Sequence, residues 1–148
     1  MKEELQGFRV LAVDWGSKRL GLAISDESGT IAQPLTVISH VSKSENAGKI
    51  LEIAQQRGVG RIIVGITKNA ENNLTPSGRS AMRLIEYIRE QGNIPVKAFD
   101  ESNSTMQAKQ STIISGVPKK KRRGHQDGIA AAIILQTYLE ECRSESEK

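Results

Sequence analysis

A single cysteine, Cys142, excludes an internal disulfide, and with no second thiol it supplies neither a zinc-ligand pattern nor a redox pair. Rings are nearly as scarce. One Trp, two Tyr and two Phe make up 3% of 148 residues, so the core must be built from Ile, Leu, Val and Ala, which also argues against aromatic base-stacking platforms. No apolar run approaches the ~18 residues of a membrane span. The start, Met1-Lys2-Glu3-Glu4, has neither the basic beginning nor the apolar middle of a signal peptide. The expectation is a cytoplasmic protein without a membrane partner. No internal repeat or linker divides the chain, so residues 1–148 are expected to form one domain, with a polar tail over 143–148 that frays.

What the chain does have is positive charge in one place. Lys and Arg number 21 against 17 Asp and Glu, a net charge of +4, and much of the excess lies in Lys119-Lys120-Lys121-Arg122-Arg123. Such an excess favours an anionic partner. A run of five cations is most simply a solvated loop, but this one leads directly into an apolar segment that carries an acid, Asp127.

The remaining organisation starts from residues 8–13, an almost unbroken apolar run that ends at Asp14. A strand buried on both faces would deliver that carboxylate to an edge. Gly16 and Gly21 bracket a turn into a second strand over 20–25, and Gly21 would leave room beside Asp14 for a ligand or metal. Residues 30–38 read as a third strand, with Pro34 assigning it to an edge. A helix capped by Ser42 or Ser44 runs to about Arg57, and Gly58 and Gly60 stop it. The apolar run 61–66 is a crossover strand, followed by a polar, mobile loop over 67–75 and a helix from Pro76 to about Glu90. Residues 95–99 form a fifth strand running into Asp100-Glu101, a helix is expected after Ser102 or Ser104, and the strongest helix covers 125–141.

The order β-β-β-α-β-α-β-α-α describes an α/β fold, a five-stranded mixed sheet in which right-handed crossovers make the first, fourth and fifth strands parallel. Asp14, Ile66 and Asp100-Glu101 then share the carboxyl edge, where open α/β sheets bind ligands. Asp127, in the first turn of the last helix, lies on its packing side with Ala130, Ala131, Ile134 and Tyr138. Alone, each acid has a plain structural reading, Asp14 as a strand end and Asp127 as a helix cap. Three acids from distant positions, each ending a core element, instead make an oxygen site for Mg²⁺ or Mn²⁺ that could hydrolyse a phosphodiester. Because adjacent strand residues face opposite ways, Asp100 and Glu101 cannot both point inward unless the strand has ended; Glu101 is taken as the second ligand with Asp100 its rival. Lys18 and Arg19 in the turn, and the 119–123 run, would hold a nucleic-acid backbone; His125 is a weaker candidate for proton transfer.

Asp14-Trp15-Gly16-Ser17-Lys18-Arg19-Leu20-Gly21-Leu22-Ala23-Ile24-Ser25-Asp26, with Ile63-Val64-Gly65-Ile66, Asp100-Glu101-Ser102 and the helix beginning Asp127-Gly128-Ile129, resembles the motifs of the YqgF (RuvX) proteins. These belong to the ribonuclease H-like superfamily and are related to the RuvC Holliday-junction resolvases. The resemblance implies a ribonuclease H-like fold with helices on both faces of the sheet. It implies a nuclease that trims the 5′ end of precursor 16S ribosomal RNA with a divalent metal, and by matching positions it gives Asp14, Glu101 and Asp127 the catalytic roles. The chain departs from that pattern at Ser102, where the family has arginine, and in the loop after Gly65. The expected partner is structured precursor rRNA, with branched DNA as the alternative substrate and a non-catalytic ribosome-assembly module as the alternative class. A monomer or weak homodimer is expected.

Overall fold

A computed structural model of the chain describes residues 7–101 and 128–147. The helix expected after Ser102, the 119–123 run, His125 and Asp127 lie outside the described residues. Within them, β1 (Arg9–Asp14), β2 (Arg19–Ser25) and β3 (Ala32–Ser39) form an antiparallel meander. It is followed by α1 (Lys43–Gln56), β4 (Val59–Ile66), α2 (Pro76–Gln91), β5 (Val96–Asp100) and α3 (Ile129–Glu147). The sheet order is β3-β2-β1-β4-β5, with β4 parallel to β1 and β5 parallel to β4. The expected mixed α/β sheet is therefore what forms. Its central strand is β1, whose Val10, Leu11, Ala12 and Val13 are all fully buried, as a run without polar alternation requires.

Local chemistry sets the ends of the elements. The Ser42 hydroxyl accepts from the Glu45 N–H at 3.1 Å and caps α1, while Gly58 at φ +69° follows its last turn. Thr75 caps α2 by accepting from the Gly78 N–H at 3.0 Å, with Pro76 in the first turn, where no amide hydrogen is needed. Pro34 lies in the edge strand β3 opposite Ala23, at a register shift that removes a ladder bond it could not make. Two boundaries differ from expectation. β4 starts at Val59, and Gly60, expected to help stop α1, belongs to the strand: Val59 pairs with Arg9 and Arg61 with Val10, so Gly60 is the extra residue at a register shift, and the Phe8 ring occupies the place of its missing side chain. The helical backbone of α3 continues to Glu147, past Glu141, where the sequence reading ends the helix.

The two faces of the sheet are covered differently. Leu11, Val13, Leu20, Leu22, Ile24, Ile62, Val64 and Ile66 pack with α1 and α2 through Ile50, Leu84, Ile85 and Ile88. On the opposite face Val10, Ala12, Ala23 and Ile63 meet α3 through Ala131, Ala132, Ile134, Leu135, Tyr138 and Leu139. Burial of each large aliphatic side chain on the first face contributes roughly 1.5–3 kcal/mol. The second face trades volume for close approach of one helix. Period-two alternation assigns the next residue of each strand, and so decides which face the acids occupy.

Candidate active site

Asp14 ends β1 two residues after Ala12 and so projects on the α3 face. It is half-buried and lies opposite Gly21 of β2. The turn beyond it is tight. A side chain on Gly16 would overlap the Arg19 carbonyl oxygen, and the Lys18 carbonyl accepts from the His40 N–H at 2.9 Å, tying the turn to the end of β3. Lys18 and Arg19 are exposed at this edge. Next to Asp14, the half-buried Trp15 packs towards the opposite core, with His40 edge-on to its ring at 5.1 Å and the Lys43 Nζ 5.3 Å from its centre.

Glu101 comes to the same face by a different route. Its N–H donates to the Ile66 carbonyl at 3.0 Å and extends the β5 ladder one step past the Ile66–Asp100 pair. Two residues earlier, Phe99 packs edge-on against Tyr138 of α3 with centroids 5.8 Å apart, so Phe99 and Glu101 share that face. Asp100 alternates away from it and is exposed. The Glu101 carboxylate rests over Gly65 of β4, and its Oε2 is buried with no hydrogen-bond partner. Burial, followed by the negative charges of Asp14 and then Asp100, pushes its pKa up to about 7. Near neutral pH, Glu101 therefore holds a proton that a surface glutamate would have released. Neutralising the pair by a cation would reverse that shift.

The space beside Gly21 is not left open for a ligand, which corrects the sequence-based expectation. Gly128, at φ +75°, packs there with its Cα 3.5 Å from where a Gly21 side chain would begin. A side chain on Gly128 would in turn come within 2.7 Å of the Leu22 carbonyl oxygen. Two glycines thus let the first turn of α3 lie directly on β2 next to Asp14. Among the described residues no three of His, Cys, Asp and Glu form a metal-sized group. Asp14 and Glu101 come together, while Asp127 and the 119–123 cations lie outside the described residues.

Two features of this edge were missed by sequence reasoning. Gly65, read only as part of a strand, underlies the Glu101 carboxylate; glycine inside a buried strand is the signal that could have found it. The 67–75 loop, expected to be mobile, is tied together by a Lys68–Leu74 bridge and a hydrogen bond between the Thr67 and Thr75 hydroxyls. Asn69 Oδ1 also accepts from the Glu71 and Asn73 N–H groups, each at 3.0 Å. Asn72 takes the positive φ of 67° that the reversal needs.

Comparison with known proteins bears on this edge. The family model described as "RuvX: Holliday junction resolvase" matches residues 8–141. The chain belongs to the RuvX family. A relative from Thermoanaerobacter pseudethanolicus, described as "Putative pre-16S rRNA nuclease", is 40% identical over 133 residues, covering 89% of this chain and 96% of the relative. One from Geobacillus kaustophilus with the same description is 39% identical over 137 residues, covering 91% and 99%. Among solved structures, Thermus thermophilus RuvC in complex with Holliday junction substrate matches with a TM-score of 0.62 at 16% identity, covering 90% of this chain and 96% of RuvC. The fowlpox virus Holliday junction resolvase matches with a TM-score of 0.51 at 14% identity, covering 90% and 99%. These two likenesses show the fold. The RuvX resemblance drawn from the sequence motifs and the ribonuclease H-like α/β architecture are both borne out. Among the described residues, no helix is long and apolar enough to cross a membrane.

Proposed function

We propose that this RuvX-family chain is a divalent-metal-dependent endonuclease that hydrolyses phosphodiester bonds in precursor 16S rRNA, acting in 5′-end maturation in the cytoplasm. The observation that carries the reading is the buried, unpartnered Glu101 Oε2 beside Asp14 on one face of the sheet edge. A carboxylate without a hydrogen-bond donor is costly to bury, and two acids repelling one another add to that cost. Carboxylate oxygens form a hard donor set, so the group they fit is Mg²⁺ or Mn²⁺. Asp14 and Glu101, with Asp127 as the third ligand, would hold it. Bound there, the metal would supply Lewis-acid stabilisation of the phosphoryl oxygen and an activated water.

The chain's own residues supply the rest. As a ligand Glu101 would have to be ionised, so the site would take up a cation more readily above neutral pH. Lys18 and Arg19, exposed beside Asp14, hold phosphates flanking the scissile bond, and the cations of the 119–123 run extend that grip along the backbone. Contacts of this kind position the nucleic acid and carry little sequence information. The description of the family model favours a second reading, cleavage of four-way DNA junctions by the same acids.

Both readings are separated by incubating the purified protein with precursor 16S rRNA or a four-way DNA junction at matched salt with Mg²⁺ or Mn²⁺. The expected result is RNA cleavage that Asp14→Asn abolishes. Equal cleavage by wild type and Asp14→Asn removes the active site. Cleavage of junctions alone selects the resolvase, and RNA binding without cleavage under either metal leaves a binding module.

A further inference from the structure

The backbone at Gly65 does not require glycine. The glycines with positive φ among the described residues are Gly7, Gly29, Gly58 and Gly128, so Gly65 adopts a conformation open to any residue. It lies inside β4, flanked by the buried Val64 and Ile66, where glycine weakens a strand and a β-branched side chain such as that of Ile63 would be preferred. Space is what the position supplies. A Cβ built there would overlap the Glu101 carboxylate oxygen Oε2 and would come within 2.8 Å of Ile134 Cδ1 and 3.4 Å of Glu101 Cδ.

We propose that Gly65 is a positioning residue: its absent side chain forms the seat that holds the Glu101 carboxylate down on the sheet, on the same face as Asp14. The Glu101 backbone cannot retreat to make room, because its N–H is fixed to the Ile66 carbonyl one residue along the same strand. Any side chain at 65 must therefore be accommodated by the carboxylate, which would swing out of the sheet and away from Asp14. Both overlapping atoms are the far ends of side chains, but the Glu101 oxygen is the nearer of the two and Glu101 is only half-buried, whereas Ile134 is held in the buried α3 core, so the carboxylate is the group that can give way. Gly65 thus belongs to the acid pair more than to the packing of α3. The inference rests on the reading that Asp14 and Glu101 hold a divalent cation.

The test is Gly65→Ala, alone and combined with Glu101→Asp or with Ile134→Val, read by Mn²⁺ calorimetry and by a metal-free crystal structure. Gly65→Ala is expected to weaken Mn²⁺ binding by on the order of tenfold or more, as loss of outer supports of a metal site does. In its metal-free structure the Glu101 carboxylate should be displaced away from Asp14. Shortening the acid by one methylene should give the added methyl its room, so Gly65→Ala with Glu101→Asp should bind Mn²⁺ more tightly than Gly65→Ala alone. Ile134→Val should restore folding stability if that is lost, without restoring Mn²⁺ binding. An unmoved carboxylate in Gly65→Ala, wild-type Mn²⁺ affinity in that variant, or recovery of affinity by Ile134→Val overturns the proposal. If wild-type protein binds no Mn²⁺, the metal reading fails and the crystal structure alone decides the seat. If Gly65→Ala does not fold, the same comparisons are made in the Ile134→Val background.

Discussion

The two faces of the sheet are made of different material. Towards α1 and α2 the strands present Leu11, Val13, Leu20, Leu22, Ile62, Val64 and Ile66; towards α3 the same strands present Val10 and Ile63 but, at the edge that carries the acids, only Ala12, Asp14, Gly21, Ala23 and Gly65. The first set fills a deep aliphatic core. The second is too small to do so, and the difference shows where the molecule gives up packing to bring a helix start and two carboxylates close together. On the proposed reading both faces are needed, one to keep the sheet rigid and one to hold repelling acids on it.

Breaking the second face at Asp14 should have the largest effect. Asp14→Asn is expected to reduce cleavage by roughly a thousandfold, since several kcal/mol of barrier lowering are lost with a metal ligand. Thermal melting without metal should hold or rise, because a charge that opposes Glu101 is removed. Breaking the first face should do the reverse. Leu84 is fully buried between α2 and the sheet, and Leu84→Ala should cost about 3 kcal/mol in urea unfolding while Mn²⁺ affinity of the folded protein is unchanged.

At the junction of helix and sheet the effects should combine. Gly128→Ala forces a side chain into a positive-φ position and against the Leu22 carbonyl, at about 2 kcal/mol. It should also weaken Mn²⁺ binding, which calorimetry would register, because it lifts the start of α3 from beside Asp14.

A subtler contrast is in pH dependence. Glu101 has its folded pKa raised to about 7 from 4.5, so below 4.5 it is protonated in both states and stability is unaffected. As pH rises from 4.5 through 7 the unfolded chain releases a proton that the folded chain retains. Metal-free stability should therefore fall over that window, and melting in chelator should record it. Glu101→Gln should flatten this part of the profile, and Mn²⁺ added above pH 7 should restore the lost stability to wild type only. The smallest effect is at the turn: Lys18→Ala or Arg19→Ala should lower RNA affinity a few-fold and reduce the salt slope of binding by about one.

Much of the aliphatic face was legible because its signals are local. An unbroken apolar run ending at Asp14, a proline in β3 and a serine before α1 each act within a few residues, and each predicted its element. Gly60 misled for the opposite reason: as a helix stop it obeys a local rule, but the pairing of Val59 and Arg61 with distant β1 places it in β4, at a register shift under the Phe8 ring. The acid-bearing face depends on contacts between distant segments. Strand alternation allowed only one of Asp100 and Glu101 to face inward, yet nothing near Gly65 announces that a carboxylate will lie on it. Nothing near Gly21 announces that Gly128 will fill the space expected for a ligand. Such positions are set by the whole sheet and helix, and a motif marks them without explaining them.

The most direct test of the account is anomalous diffraction from crystals soaked in Mn²⁺. It predicts a manganese peak bound jointly by Asp14 and Glu101 with Asp127 as the third ligand, lost in Asp14→Asn crystals. An edge that stays empty at saturating Mn²⁺, or Asp127 turned to solvent while Asp14 and Glu101 stay apart, would contradict it.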